Sequence, residues 1–170
     1  MDEQLQLLRD GDESTFEEFV VKYRKEAVNF AWNILKDYYI AEDIVQDSFA
    51  TFYVYRDRLK SYSTLKSYLF SIIHNKSVDY IRKNNKRAFK DYEAASTISP
   101  EEIIIDREKK QKFIRSFNKL DENQKNVLYL YAFQQMTYKE IAEVLDMSLA
   151  KVKITIFRAR KELKASYAEK

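Results

Sequence analysis

Residues 138–163 read YKEIAEVLDMSLAKVKITIFRARKEL, and this stretch decides the fold of the C-terminal part of the chain. Thr137 and Glu140 have the spacing of a capping box, which predicts the start of a short helix. Ser148 predicts the N-cap of the helix that follows. Asp146 lies between the two helices, where the turn usually requires a left-handed backbone that Asp tolerates better than most residues. Two capped helices joined by about three residues form a helix-turn-helix.

The second helix of this motif is amphipathic. Its inward side chains recur at steps of three and four residues, and they are Val152, Ile156, Ala159 and Leu163. Its outward side chains are mostly basic, with Lys151, Lys153, Arg158, Arg160, Lys161 and Lys164 against one acid, Glu162. Such a helix can enter the major groove of DNA. Helix-turn-helix geometry also occurs in purely structural bundles, so the motif alone leaves both interpretations open.

The remaining composition favours an all-helical chain and excludes several chemistries. The 170 residues include one Gly, one Pro, one His and no Cys, whereas strands joined by tight turns usually require Gly. Gly11 alone cannot build a P-loop or a GxGxxG turn, because both need several glycines. With no Cys and only His74, we expect no disulfide, zinc ribbon or metal cage. We predict a protein that is not an enzyme and uses no cofactor.

The chain shows no signal for export or membrane insertion. No apolar run approaches the roughly 18–20 residues that cross a bilayer. The N-terminal residues Met1, Asp2 and Glu3 are acidic, whereas a signal peptide begins with basic residues. We therefore expect a cytoplasmic protein.

A weakly periodic stretch divides the chain. Residues 88–101 read AFKDYEAASTISPE and contain the only proline, a composition typical of a linker. We predict an N-terminal helical domain over residues 1–87, a flexible linker over 88–108 and a C-terminal helical domain over 109–170. The predicted fold class is therefore all-α, with two small domains.

The net charge of +3 conceals an alternation along the chain. Residues 1–50 carry a net charge of −7, residues 51–90 carry +8, residues 91–110 carry −3 and residues 111–170 carry +5. Clusters of Lys and Arg gain free energy by releasing counterions from phosphates, so the two basic blocks suggest two surfaces that bind a polyanion. Charge alone is equally compatible with ordinary solvated helix faces.

Two helices are predicted at the start of the N-terminal domain. Ser14 and Glu17 have capping-box spacing and precede a long amphipathic pattern. A second helix begins near Ile40, and its inward residues are Ile44, Val45, Phe49 and Phe52. The outer side carries Glu42, Asp43, Gln46 and Asp47. This acidic and polar patch is either plain soluble surface or a binding surface.

A third helix is predicted from about Thr64 to Arg87. Its apolar stripe contains Leu65, Leu69, Ile72, Ile73 and Tyr80, while another edge carries Asn75, Asp79, Arg82, Lys83 and Lys86. This edge becomes basic toward the end of the helix, where it can meet phosphates. Asn can bond to base edges, and exposed aromatics such as Tyr62 or Tyr68 can stack on unpaired bases. Most aromatic side chains of this chain nevertheless have to belong to the core.

Taken together, the two halves resemble the extracytoplasmic-function (ECF) sigma factors of bacterial RNA polymerase over nearly the whole chain. Four strings carry the resemblance. They are LLRDGDESTFEEFVVKY near the start, AEDIVQDSF at 41–49, SYLFSIIHNKSVDYIRK at 67–83 and YKEIAEVLDMSLAKVKITIFRARKEL at 138–163. Their order and spacing across two helical domains are far more specific than any one string.

The resemblance implies a function and a set of partners. The first domain would be sigma region 2, which docks on the clamp coiled coil of core RNA polymerase and melts the minus-ten promoter element. The second would be region 4, which reads the minus-thirty-five element and meets the flap region of the polymerase. An anti-sigma factor is a further partner that is common in the family.

The site residues follow from this resemblance together with the outer helix faces and exposed aromatics predicted above. Polymerase docking would use Asp43, Gln46, Asp47 and Phe49, and minus-ten binding would use Tyr62, Tyr68, Asn75, Asp79, Arg82, Lys83 and Lys86. Minus-thirty-five binding would use Lys151, Lys153, Ile154, Phe157 and Arg158. The chain departs from the family pattern at Tyr68, Asp146, Ala150, Lys151 and Ile154. Ile154 can contact a thymine methyl but cannot form the hydrogen bonds of a polar residue.

A second hypothesis remains open on the sequence alone. A one-component transcription regulator would bind duplex DNA through residues 109–170 without polymerase, and its N-terminal domain would serve oligomerisation or sensing. This hypothesis predicts tight operator binding by the free protein, whereas a sigma factor needs polymerase.

Overall fold

A computed structural model describes residues 2–60, 65–84 and 107–169 of the chain, and the regular structure in these ranges is helical throughout. The helices are α1 (Asp2–Asp10), α2 (Glu13–Leu35), α3 (Tyr38–Val54), α4 (Leu65–Asn84), α5 (Arg107–Asn118), α6 (Glu122–Leu128), α7 (Tyr138–Leu145) and α8 (Leu149–Ala168). They fall into two compact units, the first built on α1–α4 and the second mainly on α5–α8. The predicted all-α class is confirmed. None of the described helices has the length and apolarity that a bilayer crossing requires.

The N-terminal unit is a bundle in which α2, α3 and α4 pack against one another. Aromatic rings fill its centre: Phe19 stacks on Phe52 with 4.7 Å between ring centroids, and Phe30 lies 5.2 Å from Phe70. Apolar side chains from all three helices are buried around these rings, including Ala27, Ala31, Val45, Phe49, Leu65, Leu69 and Ile73. Each helix therefore turns one stripe inward and leaves the opposite face exposed.

Two features of this unit differ from the sequence prediction. Helix α1 was not predicted, and it packs against α2 through the buried side chains of Leu5 and Leu8. Helix α3 begins at Tyr38 instead of near Ile40, because the side chain of Asp37 accepts a hydrogen bond from the backbone N–H of Ile40 and caps the helix. Both differences add helical structure to the unit.

The start of α2 was also predicted wrongly. Ser14 is not the N-cap, because it already lies in the first turn of the helix. Asp12 is the cap, since its Oδ1 accepts hydrogen bonds from the backbone N of Thr15 at 2.8 Å and from the Thr15 hydroxyl at 2.6 Å. Gly11, with a φ of 84°, lets the chain turn sharply from α1 into this cap. A carboxylate at this position also interacts favourably with the helix dipole.

The caps predicted at Thr137 and Ser148 are present, and a further cap begins α6. Asp121 and Gln124 form a reciprocal capping box at the start of α6. Thr137 and Glu140 form another, in which the backbone N of Thr137 donates to the Glu140 carboxylate at 2.8 Å and the Thr137 hydroxyl accepts from the Glu140 N–H at 3.2 Å. The Ser148 hydroxyl accepts from the backbone N of Lys151 at 3.1 Å. These bonds fix where α7 and α8 begin.

The turn between α7 and α8 has the predicted backbone. Asp146 has a φ of 51°, in the left-handed region. The backbone N of Met147 then bonds to the carbonyl of Ala142 at 2.9 Å and closes the end of α7. The predicted helix-turn-helix is confirmed as a fold. Residues 88–106 of the predicted linker lie outside the described residues, and the last two residues of that prediction already belong to α5.

We expect Asp12→Ala to lower the urea midpoint of the N-terminal unit, because α2 loses the acceptor for its free N–H groups. Ser14→Ala is the matched control and should leave the midpoint close to that of the wild type. Helical circular dichroism followed through urea denaturation measures both. An equal loss in the two variants would contradict the assignment of the cap.

The same cap predicts a pH dependence. Hydrogen bonds from the side chain and then the backbone of Thr15 lower the pKa of Asp12 from its ordinary value of 3.8. The contribution of the charged cap is therefore complete above that ordinary value, and it is lost as the pH falls through the lowered pKa. An Asp12→Asn variant caps the helix without titrating. Denaturation midpoints measured between about pH 6 and pH 2 should show the wild type losing stability relative to Asp12→Asn.

Candidate functional site

Helix α8 holds its predicted DNA-binding residues on one outward face. Val152, Ile156 and Ala159 are buried in the C-terminal unit and fix the rotation of the helix. The five residues predicted to meet the minus-thirty-five element are all exposed on the other side, and they are Lys151, Lys153, Ile154, Phe157 and Arg158. Two of them are apolar, with Ile154 51% exposed and Phe157 69% exposed. The face therefore combines cations with an apolar patch.

Arg160 is held differently from the other cations of α8. Its guanidinium lies over the ring of Tyr131 at 4.7 Å from the ring centroid. That ring also packs against Tyr138 of α7 at 5.4 Å. Tyr131 comes from a π-helical turn, Tyr129–Phe133, which continues α6. Arg160 therefore helps to hold α8 within its own unit, a role that the basic pattern of the sequence did not indicate.

Helix α4 presents a polar edge that becomes basic toward its end. Asn75, Asp79, Arg82 and Lys83 are all exposed, whereas Leu69, Ile73 and Ser77 on the opposite side are buried. Within this edge, a guanidinium nitrogen of Arg82 lies 3.6 Å from a carboxylate oxygen of Asp79. Tyr62 and Lys86, which were predicted to join the site, lie outside the described residues.

Two rings near this edge have restricted roles. Tyr68 is half-buried, and its ring lies 5.8 Å from the buried ring of Phe52, so much of it serves packing. Burial lowers the pKa of His74 from its ordinary value of 6.5. The imidazole is therefore neutral at neutral pH and adds no cation to the edge.

The outer face of α3 carries the predicted docking residues, with one exception. Asp43, Gln46 and Asp47 are exposed. Asp47 reaches α4, where its carboxylate lies 2.6 Å from the amine of Lys76. Phe49 is only 6% exposed and packs edge-on against Phe19 at 6.1 Å. Phe49 thus lies on the inner side of α3, beneath the exposed face.

Two exposed apolar residues extend this face and were missed from the sequence. Tyr39 is 80% exposed and Val54 is 64% exposed. With Asp43, Gln46 and the exposed Ala50, they follow steps of three and four residues along α3. Counting back one helical step from Asp43 reaches Tyr39, and counting forward from Gln46 through Ala50 reaches Val54. This helical spacing is the sequence signal that would have found both residues. We call these five residues together with Asp47 the α3 face.

Comparison with known proteins assigns each unit to a family. The family model described as Sigma-70 region 2 matches residues 19–87, which contain α2, α3 and α4 apart from the start of α2. The family model described as Sigma-70, region 4 matches residues 110–163, which contain the helix-turn-helix. The order of the two regions along the chain is the order that the resemblance implied.

Relatives align along most of the chain. It is 29% identical to the ECF RNA polymerase sigma factor SigM of Bacillus subtilis over 161 residues, covering 90% of this chain and 95% of that protein. It is 25% identical to the ECF RNA polymerase sigma-E factor of Escherichia coli over 169 residues, covering 92% of this chain and 88% of that protein.

Solved structures share the fold. The sigma factor RpoE of Bartonella quintana, in complex with the anti-sigma factor NepR, matches with a TM-score of 0.72 at 22% identity and covers 89% of this chain and 95% of its own. CnrH, in complex with the cytosolic domain of CnrY, matches with a TM-score of 0.66 at 23% identity and covers 95% of this chain and 93% of its own. With a region 2 unit, a region 4 unit and full-length ECF relatives, the chain belongs to the sigma-70 family, among the ECF RNA polymerase sigma factors.

Proposed function

We propose that this ECF sigma factor directs core RNA polymerase to its promoters through three exposed helix faces, on α3, α4 and α8. One observation carries the proposal. In each of the three helices an apolar stripe is buried in the unit's own core, while most of the polar and basic residues predicted to bind partners remain exposed. The chain therefore offers one acidic and polar face and two faces with basic character.

The α3 face is the proposed docking site for polymerase. Asp43, Gln46 and Asp47 supply acceptors and negative charge, which suit a basic partner surface. Tyr39 and Val54 add apolar contacts at the two ends, and Tyr is among the residues that contribute most to protein interfaces. Phe49 is proposed to act indirectly, because its buried ring holds the inner side of α3 against α2. By resemblance, the partner surface is the clamp coiled coil of the largest subunit.

The exposed edge of α4 is the proposed site of promoter opening. Arg82 and Lys83 can bind phosphates, and the Asn75 amide can bond to the edge of an unpaired base. Opening a duplex costs a few kcal/mol for each unstacked step. Capturing an unstacked base on an aromatic ring contributes about 1–3 kcal/mol. The exposed part of Tyr68, together with Tyr62, is proposed to provide such contacts.

Helix α8 is the proposed reader of the minus-thirty-five element. Its outward face can lie in the major groove, with Lys151, Lys153 and Arg158 near the phosphates. A second contact made by the same chain is effectively intramolecular, so two weak DNA surfaces can bind tightly together. We propose that polymerase docking precedes both DNA contacts.

The proposed partners are core RNA polymerase, promoter DNA and an anti-sigma factor. The proposed place of action is the cytoplasm, where the bacterial polymerase and its promoters are found. The protein is proposed to act by binding alone, without catalysing a covalent step.

The double variant Asp43→Ala, Gln46→Ala should weaken holoenzyme assembly by about tenfold or more, because truncating one residue that matters at the centre of an interface costs more than about 1 kcal/mol. Copurification with core polymerase and run-off transcription measure the loss. Glu17→Ala removes an exposed acid from α2 and is the matched control, which should assemble normally. Wild-type assembly by the double variant, with unchanged circular dichroism, would contradict the docking proposal.

The double variant Asn75→Ala, Arg82→Ala should reduce open-complex formation on duplex promoter by roughly tenfold, since hydrogen bonds to charged groups contribute about 1.5–3 kcal/mol. On a promoter with a pre-melted bubble the deficit should shrink, because the cost of unstacking is already met. Permanganate footprinting measures the unpaired thymines. Lys60→Ala, an exposed cation before α4, is the control. An equal deficit on both templates would contradict a role in strand opening.

Run-off transcription from a genomic fragment library tests the whole proposal. Purified core polymerase should yield discrete transcripts only when this chain is added. Gel shifts on the recovered fragments should show binding with polymerase and little binding by the free chain. Tight binding by the free chain without polymerase would instead support a one-component regulator.

A further inference from the structure

Two apolar side chains lie at the centre of the outward face of α8. Ile154 and Phe157 are three residues apart, so they are neighbours on the helix surface. Both are more than half exposed, while Val152 and Ile156 on the opposite side of α8 are buried in the apolar core of the C-terminal unit. The pair therefore contributes little to the stability of its own unit and is available to a partner.

Cations border this apolar pair on both sides. The helical period places Lys151 and Arg158 along one edge of the pair and Lys153 along the other, and all three are exposed. A partner with an apolar groove would have to desolvate these charges at a large cost. In the major groove of DNA, the cations can contact the phosphates on either side while the apolar pair contacts the base edges at the floor of the groove. The arrangement therefore favours duplex DNA over an apolar protein surface.

We infer that Ile154 and Phe157 recognise the C5-methyl groups of thymine in the upstream promoter element. The inference rests on the proposed function and adds the type of base that this face reads. The thymine methyl is the apolar group that base pairs present in the major groove. Neither side chain carries a hydrogen-bond donor or acceptor. The pair can therefore select a base only by burying its methyl group.

The test replaces single thymines of the upstream element with uracil, which keeps the hydrogen-bonding groups of thymine and lacks its methyl. Holoenzyme made from the full chain is titrated with synthetic duplexes of a promoter recovered by run-off selection. At one or two positions, uracil should weaken wild-type binding by about fourfold per methyl. The double variant Ile154→Ser, Phe157→Ser should bind the thymine and uracil duplexes equally.

The matched control removes a neighbouring cation and leaves the apolar pair in place. Lys153→Ala should weaken binding to thymine and uracil duplexes by the same factor and reduce the salt dependence of binding. Equal wild-type binding to thymine and uracil at every position would overturn the inference. The inference would also be overturned if the double variant still bound thymine duplexes more tightly than uracil duplexes. Loss of polymerase assembly in the double variant would overturn it too, because that result would assign the pair to a protein partner. Failure of the wild-type chain to support any polymerase-dependent transcript would instead overturn the proposed function.

Discussion

The rotation of each helix about its own axis is fixed by the apolar stripe that it buries, and the surfaces of this protein depend on that constraint. In α8 the buried side chains of Val152, Ile156 and Ala159 leave only one face available to a partner. In α3, the buried side chains of Val45 and Phe49 lie on the side opposite the α3 face and fix the rotation of the helix in the same way. Because a helix repeats about every 3.6 residues, a residue that is central on the buried stripe cannot also be central on the exposed face. Packing in the core thus decides which side chains can meet polymerase or DNA.

The caps set where these faces begin along the chain. Ser148 ends the turn of the helix-turn-helix and starts α8, so Lys151 and Lys153 lie within its first two turns. Asp146 makes the turn with a left-handed backbone in place of the glycine that is usual there. Arg160, stacked on Tyr131, adds a contact that holds α8 against the preceding π-helical turn. The outward face of α8 is therefore positioned by local hydrogen bonds and by packing together.

Sequence patterns predicted most of the fold because periodicity and capping are local signals. The three caps of the C-terminal unit and the turn at Asp146 follow from side chains within a few residues of the backbone they satisfy. The N-cap at Asp12 was missed because Ser14 and Glu17 have the spacing of a capping box. Only the backbone turn at Gly11 and the hydrogen bond from Thr15 to Asp12 show that the helix begins after Asp12. Long-range contacts had no sequence signal, including the ion pair of Asp47 with Lys76 and the half-buried position of Tyr68. The outward direction of the site residues could be predicted, while their partners within the fold could not.

Moderate charge on each face fits the proposed order of binding, in which polymerase docking precedes the DNA contacts. On α4, Asp79 lies beside Arg82 and lowers the attraction of that edge for phosphates. On α8, two of the five predicted contact residues are apolar and attract no counterions. A stronger cationic face would bind nonspecific duplex, because phosphate contacts carry no sequence information. When two weak DNA-binding faces belong to one chain, their binding free energies add. Selectivity then depends on the base contacts, which are made only where the α4 face and the α8 face meet their promoter elements at the same time.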